Sequence, residues 1–328
     1  MNHVERFRAV MNFQPVDRLP CIEWATWWDK TVERWRGEGL LTSDRYEMYR
    51  HFKLDPYYQC WFGSRAATFP PAPRHGAGFV REARDYEALR PHLYPPQDEA
   101  IEALRPWADL QRRGKALVWI TLDGFFWFPR TLFGIEGHLY AFYDQPDLMH
   151  RMNQDLVDFH LRLLDTLAKV CRPTFMTFAE DMSYNNGPMI SGRLFETFIA
   201  PYYRQLVPRL RELEIIPIVD SDGDVSAMVP WFEAVGVEGF LPLERQAGVD
   251  GAALRAAHPR LRMIGHYDKM VMTRGEGAMR AEFERLLGVM RSGGFIPSVD
   301  HQTPPGVSLK EYRLYVRLLH EYTRKAGG

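Results

Sequence analysis

The sequence predicts an α/β protein folded as a single (β/α)8 TIM barrel over residues 1–328, with an N-terminal extension and an irregular excursion around residues 68–96. Three observations lead there. Short apolar runs rich in β-formers alternate with amphipathic stretches of helical period along nearly the whole chain. Helices between neighbouring strands imply parallel pairing, with both faces of the sheet covered. The strong runs also end abruptly in acids or histidines, and barrels of this kind build their chemistry at the carboxyl ends of strands. An open doubly wound sheet is the competing architecture. No Gly-x-Gly-x-x-Gly follows any strand, so nothing supports its dinucleotide-binding version or a nicotinamide or flavin cofactor.

In chain order, residues 3–12 read as a short helix and Gln14–Pro20 as the turn after it. Cys21-Ile22-Glu23 is a short candidate strand, running into Trp24-Ala25-Thr26-Trp27-Trp28. Two helices follow, 29–37 and 43–52, and then the aromatic strand candidate Tyr57–Phe62. Residues 68–96 are rich in Pro and Gly, including Phe69-Pro70-Pro71-Ala72-Pro73, with room for a short hairpin near Gly78-Phe79-Val80. A helix covers 97–112, and Ala116–Leu122 is a buried strand that stops at Asp123-Gly124, before the aromatic patch Phe125-Phe126-Trp127-Phe128. A long helix at 146–170 puts Leu148, Met152, Leu156, Leu163 and Leu167 on one face.

From there the alternation is regular. Thr174–Phe178 is a strand ending in Ala179-Glu180-Asp181. Ser191 suits the N-cap of a helix to Leu213 that Pro201 and Pro208 should bend or split. Strands at 215–219, 239–244, 262–266 and 295–299 are separated by helices at 226–235, 250–257 and 276–291. The last helix, 308–325, opens on a capping box of Ser308 and Glu311.

Composition narrows the function. Forty-one basic and 42 acidic residues leave a formal net charge of −1, without the basic face that nucleic acids require. No run of about 18 apolar residues suggests a membrane span. Met1-Asn2-His3-Val4-Glu5-Arg6 lacks the basic-then-apolar order of a signal peptide. Cys21, Cys60 and Cys171 are too few and too scattered for a disulfide framework. The expectation is a cytoplasmic protein acting on a small molecule.

The strand ends carry Glu23, Asp123, Glu180 with Asp181, Asp220 with Asp222, Glu244, His266 with Asp268, and Asp300 with His301. A single acid after a strand is usually a turn former or helix cap. In a barrel, however, these converge on one mouth. Asp224, directly before a helix, reads as a plain cap. The set is rich in carboxylates, has two histidines and no thiol, which suits an ion such as zinc, manganese or iron held by oxygen and nitrogen. Asp222, Glu244 and His266 or His301 are the candidate ligands. Glu180, Asp181, Asp220 and His301 are the candidates for proton transfer, and Trp24, Trp27, Trp28 and Phe126 for an apolar substrate wall. Asn185 and Asn186 lie in an Asn-Gly-Pro turn whose amides could face the mouth. Without a metal, the acids would be held by arginines, with Arg65, Arg130, Arg193 and Arg245 available, and tuned for acid–base work.

Several of these stretches together resemble the uroporphyrinogen decarboxylase superfamily. They are Arg6-Phe7-Arg8-Ala9-Val10 with Pro15–Pro20, Glu180-Asp181-Met182 with Gly187–Ser191, Ile218–Asp224, Gly239–Glu244, and Gly294–His301 with Pro304-Pro305 and Ser308. The resemblance covers nearly the whole chain and implies a (β/α)8 barrel with its site at the mouth. It carries two chemistries. Heme-pathway decarboxylases use no cofactor and grip a porphyrinogen's carboxylates through Arg-Gln-Ala-Gly-Arg-Tyr. Here Glu23–Trp28 stands in that place, without an arginine. A mouth lined with acids is a poor host for a polyanion. The corrinoid-dependent methyltransferases of the superfamily bind zinc through His-x-Cys and a late Cys. Here Asp220-Ser221-Asp222 and Asp300-His301 stand there, so the spacing survives and the thiolates do not. No corrinoid-binding Asp-x-His-x-x-Gly occurs, so a corrinoid would arrive on a separate protein. Homodimers are common in the family, an expectation that the resemblance alone carries.

Three functions follow, in this order: metal-assisted methyl transfer or ether cleavage on a small substrate; a cofactor-free decarboxylase of uroporphyrinogen or a smaller acid; and a barrel that binds a small molecule without turnover.

Overall fold

Seven parallel strands form one sheet, each hydrogen-bonded to the next in chain order: Tyr57–Phe62, Leu117–Asp123, Phe175–Ala179, Ile216–Asp220, Gly239–Leu241, Arg262–Tyr267 and Phe295–Val299. These are the coordinates of a computed structural model, which describes residues 1–72, 74 and 76–328. Sequential order without a switch point is the winding of a barrel and excludes the doubly wound alternative. Every residue of the Leu117–Asp123, Phe175–Ala179 and Phe295–Val299 strands is buried. That is why these strands read as unbroken apolar runs rather than as alternating ones.

The expected strand at Cys21–Glu23 is not a strand. Its segment is extended and buried between the two edge strands, and it is fastened mainly through side chains. The Cys21 carbonyl accepts from Asp55 N–H at 2.8 Å, and the Tyr57 hydroxyl donates to the Glu23 carbonyl. On the other side, Trp24 N–H donates to Ser298 Oγ at 3.2 Å. The Glu23 carboxylate, not its backbone, receives Val299 N–H at 3.2 Å, so a side chain takes the place of a ladder bond.

The N-terminal helix, His3–Met11, closes the far end of the barrel. Phe7 stacks on Phe175 with ring centroids 4.8 Å apart, and Gly294 N–H donates to Val10 O at 2.8 Å. In barrels of this kind the site belongs at the opposite, carboxyl end of the sheet.

The outer layer departs from expectation where prolines and aromatics obscure helical periodicity. The 97–112 helix is two, Asp98–Ala103 and Arg105–Arg112, with Pro106 at the start of the second. The 191–213 helix breaks at Ile199 into Gly192–Phe198 and Ala200–Glu212, and Pro208 stays inside the latter. No hairpin forms at residues 78–80; the excursion instead holds a helix at Ala83–Leu89 and bridges from Arg65 to Leu93 and from Ala77 to Gly134. Two positions of that excursion, Pro73 and His75, lie outside the described residues. Helices at Trp127–Phe133 and Ile135–Asp144 were not expected from the sequence. Among the described residues no helix is long and apolar enough to cross a membrane.

Candidate functional site

The Ile216–Asp220 strand leaves the sheet into a loop that is laced to three neighbours. The Asp220 carbonyl accepts from Glu180 N–H at 2.9 Å and Asp181 N–H at 3.4 Å, and Ser221 N–H donates to Leu241 O at 3.1 Å. Asp222 N–H reaches Asp181 Oδ1 at 3.3 Å, and Gly223 N–H reaches Glu244 Oε2 at 2.9 Å. A small hairpin, Ser183–Tyr184 against Gly187–Pro188, packs on the loop, with Asp224 N–H donating to Tyr184 O at 3.0 Å. The Asp224 side chain is spent on Ser226 N–H at 2.9 Å as a turn former. It is not the expected helix cap, because the next helix begins at Val229 with Met228 as its N-cap.

This lacing gathers Asp222, Glu244 and His301. One ligand atom from each lies within 4.8 Å of the other two. His301 Nε2 is 3.7 Å from Asp222 Oδ2, and the His301 ring meets the edge of Trp24 at 6.5 Å between centroids. Asp300, whose side chain is fully buried, anchors the His301 loop by accepting from Arg245 N–H at 3.1 Å and Lys269 Nζ at 3.0 Å.

The electrostatics are those of acids without enough counter-charge. Burial, then Asp181 and Glu244, push Asp222 up to about 7. Burial with Asp181 and Asp222 holds Asp220 well above the carboxylate range, and burial also raises Asp181. Burial and Lys269 lower His301, against the pull of Glu244 and Asp181. None of the four arginines considered forms an ion pair with this cluster among the described residues. Arg130 comes nearest, donating to the Asp181 carbonyl at 2.8 Å. Lys269 is a cation of the mouth that sequence reasoning missed, and it acts on Asp222, Asp300 and His301. It follows Asp268 past the end of a strand, and that position was its only signal.

Other predicted residues sit elsewhere. His266 is not in the cluster: it is fully buried, its Nε2 accepts from Gly251 N–H at 2.9 Å, and its Nδ1 meets Leu243 O at 2.8 Å. Both ring nitrogens are thus engaged by backbone, and Arg285 Nη1 also lies 3.1 Å from Nε2. Glu180 is likewise turned into the wall. Its carboxylate accepts from Phe125, Phe126 and Trp127 N–H groups at 2.8–3.0 Å and from the Tyr203 hydroxyl. Burial pushes it up to about 7 against those four donors. Asp123 accepts from Ser64 and Trp61, and Glu23 from Ser298, Val299 and Tyr312.

Of the aromatic wall, only Trp24 reaches the cluster. Trp27 is core, 5.5–6.0 Å from the rings of Tyr49, Phe52, Trp35 and Tyr312. Phe126 is core too, against His138 and Phe142. Trp28 is an exposed helix N-cap, and Asn185 and Asn186 form the exposed tip of the hairpin. Trp61, not foreseen as a site residue, stands half exposed at a strand end.

Comparison with known proteins adds to this geometry. The family model described as Uroporphyrinogen decarboxylase (URO-D) matches residues 130–322, more than half of the chain. Among solved structures, a methyltransferase from Methanosarcina mazei superposes with a TM-score of 0.70 at 13% identity, covering 98% of this chain and 99% of its own. A protein described as a vitamin-B12-independent methionine synthase, from Listeria monocytogenes, gives 0.50 at 12% identity, with 96% and 98% covered. At such identities the likeness is one of fold. A search of curated proteins finds no match.

Proposed function

The chain belongs to the uroporphyrinogen decarboxylase family, and from that premise we propose that it catalyses metal-assisted methyl transfer or ether cleavage on a small substrate at the barrel mouth. The observation that carries this reading is the meeting of Asp222, Glu244 and His301 within 4.8 Å. Two carboxylates and an imidazole suit zinc first, and manganese or iron after it. The fit is also electrostatic, because a divalent ion would relieve the crowding of Asp222 by Asp181 and Glu244. An ion held there would act as a Lewis acid on an ether or alcohol oxygen.

The chain's own residues would do the rest. No hydrogen bond reaches the Asp220 carboxylate among the described residues, so Asp220 would be free to deliver a proton to the departing oxygen, with Asp181 beside it. The Trp24 ring would wall the site on the His301 side. In the methyl-transfer form the acceptor would be a corrinoid on a separate protein. The likeness to a methyltransferase from Methanosarcina mazei is one of fold and is compatible with this chemistry.

Elemental analysis of the purified protein tests the reading. One zinc, manganese or iron per chain, lost in Asp222→Ala, is the expected result. No retained ion, and no effect of Asp222→Ala on activity, would overturn it.

A second reading, cofactor-free decarboxylation of a small acid, is favoured by the same unpartnered Asp220, which could protonate a carbanion. Carbon dioxide release that persists in a chelator would select it.

A further inference from the structure

A second feature of the mouth takes no part in the metal reading. At the ends of the Tyr57–Phe62 and Leu117–Asp123 strands lies a pocket of about 320 Å³, lined by Trp61, Ser64, Arg65, Asp123, Trp127 and Thr131 among others. The Arg65 guanidinium lies 4.3 Å from the Phe69 ring centroid and 5.6 Å from that of Phe79, and it donates to Thr131 O at 2.7 Å. No ion pair ties it among the described residues, and burial lowers its pKa. The one acid of the wall, Asp123, is already engaged. It accepts from Ser64 N–H at 2.9 Å, from the Ser64 hydroxyl, and from Trp61 Nε1 at 3.1 Å. Trp61 remains 52% exposed, a large apolar surface left in water at a strand end.

We propose that this pocket binds the anionic end of the substrate, a carboxylate on a planar aromatic body, with Arg65 on the carboxylate and the Trp61 and Trp127 indoles against the ring. The charge pattern sets the orientation. A carboxylate is disfavoured beside the crowded acids Asp181, Asp222 and Glu244, so it must lie away from them and against a cation. Register places Asp123 beside Ala179 and Ala179 beside Asp220. Two strand spacings, about 10 Å, therefore separate the pocket wall at Asp123 from Asp220. A substituted aromatic acid spans that distance, with its far substituent toward the cluster. A monoanion fits better than a phosphate dianion, because Asp123 stays close to Arg65. Binding stands on the pocket alone; what happens at the far substituent rests on the reading given above.

The test uses 4-methoxybenzoate and its neutral match, 4-methoxybenzamide, titrated into the full chain by tryptophan fluorescence and calorimetry, with chelator and with zinc. The acid should bind at least about tenfold tighter than the amide, as a charge-assisted pair implies. Arg65→Gln should erase that preference and Arg65→Lys keep part of it. Equal binding of acid and amide by the native protein, an unchanged preference in Arg65→Gln, or no binding of either probe would overturn the proposal. The comparison of the two probes needs no variant. Arg65-dependent binding by protein that retains no ion when purified without chelator, and whose affinity for the acid zinc does not change, would sink the metal reading and leave this one standing.

Discussion

Gly223 donates its backbone N–H to Glu244 Oε2 at 2.9 Å, so the loop that carries one candidate ligand, Asp222, also orients a second. Gly223 can do this because it sits at φ +84, where a Cβ would lie 2.7 Å from the Tyr184 backbone. The hairpin behind it fits only a glycine there.

Gly223→Ala should therefore destabilise the protein by about 1–3 kcal/mol and weaken zinc binding by displacing Glu244. A urea titration and a zinc titration check the two effects. An unchanged unfolding midpoint would show that the hairpin yields without cost.

Asp222→Asn should act oppositely on the metal-free protein. It removes one charge from a cluster in which Asp181, Glu244 and Asp300 all raise Asp222. Stability in chelator should rise by about 1 kcal/mol. Zinc should raise the melting temperature of the native protein and not that of the variant, since only the native chain would bind the ion in its folded state. A lower melting temperature for the variant in chelator would contradict the account.

Much of the barrel was legible because its strands are buried on both faces and end in acids. Asp222, Glu244 and His301 could be singled out for that reason. What stayed hidden was fixed by contacts distant in sequence. The Trp127–Phe133 helix has no side-chain cap from its own N-cap residue, because its first N–H group and the two of the turn before it are served by Glu180, more than fifty residues away. The same bonds take Glu180 away from the mouth. His266 could not be told from His301 by position, since only the fold brings Gly251 N–H to its ring. Trp27 was misassigned because the segment around Cys21–Glu23 is not a ladder strand, so strand alternation says nothing about which way its neighbours face.

Glu180→Ala should be among the most damaging single changes, costing about 3 kcal/mol or more. It strands three buried N–H groups and the Tyr203 hydroxyl together. Glu180→Gln keeps the shape and part of the accepting capacity and should cost less. Denaturant midpoints for the pair separate the two. If Glu180→Ala leaves stability intact while abolishing activity, Glu180 is catalytic and its buried bonds are incidental.

Glu23 makes a prediction in pH. It is fully buried, and burial pushes it from the ordinary 4.5 up to about 7 against the donors Ser298, Val299 and Tyr312. Two of those donors are hydroxyls, which can turn to accept from the protonated acid. The folded state thus keeps a proton that the unfolded chain gives up between 4.5 and about 7. Its contribution to stability is complete below the lower value and is lost as pH rises through the upper one. At ~1.4 kcal/mol for each pH interval of one, the loss is of order 3 kcal/mol. Glu23→Gln cannot titrate, so its midpoint should change less between about pH 5 and about pH 8 than that of the native protein. Parallel curves for the two proteins would mean that Glu23 is ionised throughout, held as an anion between the strand it closes and the tyrosine behind it.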